Sequence, residues 1–352
     1  MNNYHLVIMA GGIGSRFWPM STPECPKQFV DVLGCGRTFI QMTVDRFAGI
    51  VSPENIWVVT SAQYRDTVAR QLPEIPAGNI LLEPCRRNTA PCIAYAAWRI
   101  KSLDPKAVMV VSPSDHLVLN VMEFQRVIKS CLEFAGESDS IVTLGMKPTR
   151  PETGYGYIQT DMSCPSVRNR EIFRVDKFRE KPDLQTAEKY IRQPNMLWNS
   201  GIFVWSVNTV VNALRIYEPE VNDAFESLLD VYGTEREQQE IDRIYPDCKN
   251  ISVDYAILEK SDEIFCFPAS FGWSDLGTWG SLRENVQQDR NGNAVIGSDI
   301  KTYETKNCVI HCAEERKVIV QGLDGYIVSE KGGQILICKR SEEQRIKDFG
   351  AK

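Results

Sequence analysis

Short apolar runs rich in β-branched residues recur early in the chain, at His5 to Met9, Ile56 to Thr60, Ile80 to Leu82 and Val108 to Ser112, with helix-like patterns between them. Strand and helix in alternation predict βαβ units. Such units build a mostly parallel, helix-covered sheet with ligands at the carboxyl ends of its strands. The expected fold class is α/β with a Rossmann-like sheet.

The helix after the third run is well signalled: Asn88 or Thr89 caps it, Pro91 sits in its first turn, and Ile93, Ala97 and Ile100 repeat on one face. Further helices are predicted at Asp183 to Gln193, Glu220 to Tyr232, Glu235 to Tyr245, Asp254 to Lys260 and Thr278 to Asn285, and strands at Ile172 to Phe178 and Ile202 to Trp205. The turn formers Asp289-Arg290-Asn291-Gly292-Asn293 mark a change of character. Beyond them come short strands at Cys308 to His311, Val318 to Val320, Tyr326 to Ser329 and Ile335 to Cys338, then a short helix at Glu342 to Phe349. The expected domains are therefore 1–288 and a small β-rich 289–352.

With 352 residues, 43% of them apolar, the chain can bury a large core, and a net charge of −6 argues against a nucleic-acid partner. The 11 cysteines are scattered, with Cys308 and Cys312 the nearest pair, which reads as reduced cytoplasmic thiol. His5, His116 and His311 are too far apart in sequence to suggest a zinc site. The apolar run within Met1 to Met9 is too short for a signal peptide, and no stretch approaches the ~20 apolar residues of a membrane span.

One loop concentrates chemistry. After the first strand come Ala10-Gly11-Gly12-Ile13-Gly14-Ser15-Arg16-Phe17 and, further on, Pro26-Lys27-Gln28-Phe29. Gly11, Gly12 and Gly14 allow positive φ and an amide cradle for phosphate, and Arg16 and Lys27 add positive charge. A Walker A loop is excluded because Ser15 and Arg16, not Lys and Ser or Thr, follow Gly14. A dinucleotide fingerprint is disfavoured because Phe17 stands where its third glycine belongs.

The stretch from Ala10 to Phe29 resembles the signature of the sugar-1-phosphate nucleotidyltransferases, most closely the mannose-1-phosphate guanylyltransferase branch. The likeness continues to the Arg340 to Gln344 region, with mild departures at Ile13, Ser15, Phe17 and Cys25. It implies a nucleotidyltransferase domain followed by a small β-helix-like domain that often contributes to dimer contacts, hence a homodimer. Bifunctional relatives carry a further isomerase domain, so no isomerase activity is expected of this chain.

Asp115, in Ser112-Pro113-Ser114-Asp115-His116, follows an apolar run at a strand's carboxyl end, where a magnesium carboxylate belongs. The resemblance supplies its partner, Asp275 in Gly272-Trp273-Ser274-Asp275-Leu276-Gly277. His116 reads as structural. The segment Glu83 to Pro91 matches the family's base-binding segment: Glu83 suits the two donor groups of guanine, and Asn88 or a backbone amide suits its O6. A helix-capping role for Arg87 and Asn88 stays open. Ala10, Thr89 and Ser114 complete the expected nucleotide contacts.

Three segments match the sugar side: Gly154-Tyr155-Gly156, Glu180-Lys181-Pro182 and Asn199-Ser200-Gly201. Glu180 and Asn199 suit hexose hydroxyls and Lys181 suits a phosphate. Asp254 either lines that pocket or caps its helix. The implied reaction is GTP plus mannose 1-phosphate giving GDP-mannose and diphosphate, with magnesium on Asp115 and Asp275, Arg16 and Lys27 on the leaving diphosphate, and Lys181 on the attacking phosphate.

Overall fold

The computed structural model describes residues 3–313 and 315–350; the outermost residues of both expected domains lie outside that range. The chain forms two compact units. The first comprises Met1–Gly11, Arg46–Pro113 and Leu119–Trp273, and the second comprises Gly12–Asp45, Ser114–Val118 and Ser274–Lys352.

The first unit holds a nine-stranded sheet. Its strands are β1 (Tyr4–Met9), β2 (Ile56–Ser61), β3 (Ile80–Glu83), β4 (Val108–Pro113), β5 (Ile141–Met146), β6 (Tyr157–Pro165), β7 (Phe173–Arg179), β8 (Met196–Ser206) and β9 (Ile264–Ala269). The order is β3-β2-β1-β4-β8-β5-β9-β7-β6, and β6 also pairs with β8. Strands β3, β2, β1 and β4 are parallel to one another, as are β5 and β9, while β7 and β8 run against their neighbours. The α/β expectation with a mostly parallel sheet holds.

The predicted strand runs read as continuous apolar stretches because both of their faces are covered. Val7, Trp57, Val59, Met109 and Val111 join one core cluster with helix α1 (Thr89–Leu103), while the alternating Leu6, Ile8, Val58 and Val110 are equally buried. Every residue of α1 from Ala90 to Ile100 is buried, so its apolar surface wraps well beyond the one face the periodicity predicted. Two helices escaped the sequence reading: α2 (Val121–Gly136), capped by Asn120, and α3 (Val207–Tyr217), capped by Ser206. No helix among the described residues is long and apolar enough to cross a membrane.

In the second unit β10 (Ala294–Ile296), β12 (Val309–Cys312) and β14 (Tyr326–Lys331) pair in parallel, and β15 (Gln334–Lys339) adds antiparallel to β14. Strands β11 (Asp299–Tyr303) and β13 (Lys317–Gln321) form a second parallel pair. Helix α4 (Trp279–Asn285) begins with a reciprocal Thr278–Ser281 cap. Phe17, Met20 and Phe39 share a core with Trp279, Val309, Ile327 and Ile346. The sequence boundary at 288/289 therefore differs from this partition, because the loop carrying Arg16 and Lys27 packs with the C-terminal strands.

Candidate active site

The residues expected to meet phosphate, from Gly12 to Lys27 with Asp115 and Asp275, lie within the second unit. Gly14 has φ of 64°, and a Cβ there would stand 2.8 Å from the Lys27 Cβ. Glycine is thus required both for the turn and for the passage of the lysine stem. Gly11 and Gly12 do not take the left-handed conformation, so the expected positive φ is confined to Gly14. A Cβ at Gly12 would meet nothing within 4 Å. The loop is pinned by Ser21 Oγ donating to the Ile13 carbonyl at 2.5 Å and Gln28 Nε2 donating to the Gly12 carbonyl at 2.9 Å.

Arg16 is exposed and donates to the Gly277 carbonyl at 3.3 Å. Lys27 is buried; its Nζ lies 3.0 Å from Asp115 Oδ2 and donates to the carbonyls of Asp275 at 2.9 Å and Leu276 at 3.0 Å. Burial is the largest single influence on the Asp115 carboxyl and works to raise it, but the charges of Lys27 and His116 and the hydrogen bonds to the carboxylate together hold the group below its ordinary range. Asp275 sits in a tight turn: its Oδ1 accepts from the Gly277 amide at 3.0 Å, and a Cβ on Gly277 would lie 2.6 Å from its Oδ2. Leu276, with φ of 43°, turns its carbonyl onto Lys27. Gly14, Arg16, Lys27, Asp115, His116 and Asp275 all border one cavity of about 250 Å³. Ser114 is buried, its carbonyl accepting from Thr43 Oγ1 at 3.3 Å.

The expected base-binding residues lie in the first unit. Ala10 is buried, its amide donating to the Val59 carbonyl at 2.8 Å. Glu83 ends β3 and is buried, with the Tyr245 hydroxyl donating to its Oε1 and the Cys92 thiol also donating. Burial pushes its carboxyl up, and these donors only partly offset that. A Cβ on Gly11 would lie 3.3 Å from Glu83 Oε2. Asn88, with φ of 67°, is the N-cap of α1: its side-chain oxygen accepts from the Thr89 amide at 3.1 Å. The Thr89 hydroxyl accepts from the Val253 amide at 2.8 Å. The Asn88 side-chain oxygen is thus engaged in the helix cap and the Thr89 hydroxyl in a long-range bond, while Asn88 stays exposed.

The sugar-side residues converge, also within the first unit. Strand β8 carries an irregularity opposite Thr143 and Gly145, at Gly201 with φ of 71°. A bulge of this kind re-aims side chains. Asn199 Oδ1 accepts from Thr143 Oγ1 at 2.9 Å and from the Gly201 amide at 3.2 Å, which leaves Nδ2 to donate to Asp254 Oδ1 at 3.1 Å. Glu180 is buried, its amide donating to Glu259 Oε1 at 2.9 Å and its Oε1 lying 2.8 Å from Lys181 Nζ. Burial, the largest single influence, works to lower the Lys181 ammonium, but its bond to Glu180 and the charges of Glu180 and Asp254 together raise it. The Tyr155 carbonyl accepts from the Lys181 amide at 3.2 Å and the Gly156 carbonyl accepts from the Asn199 amide at 2.8 Å. Gly154 is exposed, its amide donating to Glu152 Oε1 at 3.1 Å.

Asp254 opens a single π-helical turn, Asp254–Leu258. Burial and the neighbouring Glu180 charge push its carboxyl up to about 7. Val253, not Asp254, holds the cap position of that turn, which no side chain caps, while Asp254 Oδ1 accepts from Asn199.

Sequence reasoning missed the supporting residues: Thr143 and Glu259 on the sugar side, Tyr245 and Cys92 behind Glu83, and Gln28 and Ser21 under the glycine loop. Of these, Gln28 and Ser21 lie inside the matched stretch from Ala10 to Phe29 and carried a signal. Tyr245, Glu259 and Thr143 reach their partners from distant elements, Tyr245 across 162 residues.

Residues 5–292 match the nucleotidyl transferase family. A mannose-1-phosphate guanylyltransferase of Escherichia coli is 35% identical over 348 residues, spanning 97% of this chain and 74% of that protein. One from Salmonella montevideo is 36% identical over 351 residues, spanning 98% and 73% respectively. A Thermus thermophilus crystal structure described as a mannose-1-phosphate geranyltransferase matches with a TM-score of 0.87 at 29% identity, covering 99% of this chain and 98% of its own. The chain belongs to the nucleotidyl transferase family, in its mannose-1-phosphate guanylyltransferase branch.

Proposed function

We propose that the chain transfers a guanylyl group from GTP to mannose 1-phosphate, giving GDP-mannose and diphosphate. The observation that carries this reading is the meeting at one cavity of Arg16 and Lys27, from a glycine-rich segment that is not a Walker A loop, with Asp115 and Asp275 from two other loops. The attacking phosphate monoester has a second pKa near ~6 and is already largely dianionic at neutral pH, so no general base is needed. The chemistry then reduces to aligning two anions and neutralising charge on the leaving group.

Asp115 and Asp275 offer hard oxygen donors at that cavity, which suits a magnesium-class ion shared with nucleotide phosphates. When bound, the ion supplies charge neutralisation at those phosphates. Arg16, exposed beside the same cavity, takes the leaving diphosphate, and Lys181 takes the attacking phosphate. Glu180, Asn199 and Asp254 hold hexose hydroxyls through fixed carboxylate and amide groups. Glu83 reads guanine in the same proposal. The parallel β10–β12–β14 and β11–β13 ladders support reading the C-terminal strands as a short β-helix-like module, and a homodimer is the assembly expected by light scattering.

The test is diphosphate release with GTP, ATP, CTP or UTP, each paired with mannose, glucose or fucose 1-phosphate. GTP with mannose 1-phosphate should exceed every other pair. Faster turnover with another pair would replace the substrate assignment, and silence with all pairs would turn the reading toward a sugar-nucleotide-binding subunit.

A further inference from the structure

We propose that Tyr245, which lies far outside the matched base-binding segment, is a positioning residue that sets purine choice by holding the Glu83 carboxylate as an acceptor for guanine. The inference rests on the reading of Glu83 as the residue that meets the base, and it names what governs that contact.

Three bonds tie one stretch of chain to the base-binding segment. Gln238 Nε2 donates to the Leu82 carbonyl at 3.2 Å, the Tyr245 hydroxyl donates to Glu83 Oε1, and Arg87 Nη2 donates to the Pro246 carbonyl. Gln238 stands at the start of the helix Glu237–Ile244, and Tyr245 follows its end. The start is locked in turn: Glu237 Oε2 lies 3.1 Å from Arg99 Nε, and its Oε1 accepts from the Tyr95 hydroxyl at 2.9 Å, both partners standing on α1. The Tyr245 ring is fully buried and meets Phe225 edge-on at 5.9 Å. The hydroxyl is therefore delivered to Glu83 from a fixed frame.

Purine choice lies in what Glu83 offers. An ionised carboxylate only accepts, which suits the N1–H and exocyclic amine of guanine. A protonated carboxyl also donates, which suits adenine, whose N1 accepts while its amine donates. Glu83 is only 8% exposed, and burial favours the protonated form. The titratable and charged groups that face it are Tyr245, the Cys92 thiol on α1 and Arg86 of its own segment, while the glycine loop presents Gly11. All three act against burial, but a thiol is a weak donor and Arg86 is exposed, so that solvent screens its charge. Loss of the Tyr245 hydroxyl thus moves Glu83 toward the form that reads adenine.

The experiment measures kcat/KM for GTP and for ATP from mildly acid to mildly basic pH, with mannose 1-phosphate saturating, in wild type, Tyr245→Phe, Glu83→Gln and the double variant. The GTP-to-ATP ratio cancels the ionisation of the nucleotide phosphates and any general loss of activity. In Tyr245→Phe the ratio should fall on the order of tenfold at neutral pH, the effect of one hydrogen bond to a charged group. Its bend should move to higher pH, so that the ratio recovers at the basic end. Adding Tyr245→Phe to Glu83→Gln should leave the ratio where Glu83→Gln put it. A wild-type ratio at every pH, a ratio lowered by one factor at every pH, or a further drop in the double variant overturns the role of Tyr245. If Glu83→Gln itself leaves the ratio unchanged, the base-binding reading of Glu83 fails, and this inference with it. A second readout needs no turnover: the infrared stretch of the protonated Glu83 carboxyl, identified by its loss in Glu83→Gln, is titrated in the nucleotide-free protein. It should persist to higher pH in Tyr245→Phe, and an unmoved titration overturns the proposal.

Discussion

The carboxylate of Glu180 occupies room that exists only because residue 156 is glycine: a Cβ there would stand 2.6 Å from Glu180 Oε2, with the Phe178 ring at 3.1 Å on another side. Gly156 also fixes Asn199, whose amide donates to its carbonyl at 2.8 Å. Gly156→Ala must therefore push Glu180 aside, and a displacement near 1 Å at a positioning group costs on the order of a hundredfold in kcat/KM. The loss should appear with mannose 1-phosphate varied, with the KM for GTP little changed. Equal damage to both substrates would show that Glu180 supports the fold and not the sugar side.

Local signals made much of this legible. The runs at β1 to β4 and the cap and proline of α1 announced themselves, and the loops carrying Arg16, Asp115 and Asp275 followed from short motifs. Helix α2 escaped the reading although Phe124, Val127, Ile128, Cys131 and Leu132 repeat on one buried face behind the Asn120 cap. What no local pattern carried is pairing across distance. Nothing near Lys27 predicts that its ammonium is spent on residues 115, 275 and 276, and nothing near Glu83 predicts Tyr245. The two-unit partition was hidden for the same reason: residues 12–45 pack with strands some 300 positions later.

Glu83 and Tyr245 give a prediction that separates recognition from support. If Glu83 reads the guanine donors, Glu83→Gln should lower the preference for GTP over ATP, measured as a ratio of kcat/KM values. An unchanged ratio would remove Glu83 from the base pocket. Tyr245→Phe removes a donor to a buried carboxylate and should cost about 1–3 kcal/mol of stability by denaturant titration. A null effect on stability would show that the buried carboxyl does not depend on that hydroxyl.

His311 sets an acid limit on the second unit. It is buried, with Nε2 at 3.0 Å from the Val32 carbonyl, and its ring meets Trp279 edge-on at 5.8 Å. Burial drives its pKa down to about 4 from an ordinary 6.5. Between those values the unfolded chain binds a proton that the folded one refuses, so stability is full above 6.5 and falls as the pH drops toward 4. The full shift corresponds to roughly 3 kcal/mol. His311→Gln, which retains a donor for Val32, should flatten the Tm profile over that window, whereas a profile parallel to wild type would mean that other groups set the acid limit.

Asp254 has the opposite sign. Burial, reinforced by the charge of Glu180 and only partly relieved by Lys181, raises its carboxyl from 3.8 to about 7. Below 3.8 both the folded and unfolded forms are protonated, and the shift has no effect on stability. As the pH rises from there the unfolded chain releases its proton while the folded site keeps one, so stability declines until the folded group ionises near 7. Asp254→Asn cannot ionise but still offers an oxygen to Asn199 Nδ2. Its Tm should gain on wild type steadily from pH 4 to about 7 and hold a constant lead above that. If the same proton governs the hexose site, the wild-type KM for mannose 1-phosphate bends near pH 7 and the bend vanishes in Asp254→Asn. Parallel Tm curves for the two proteins would show that Asp254 does not hold that proton.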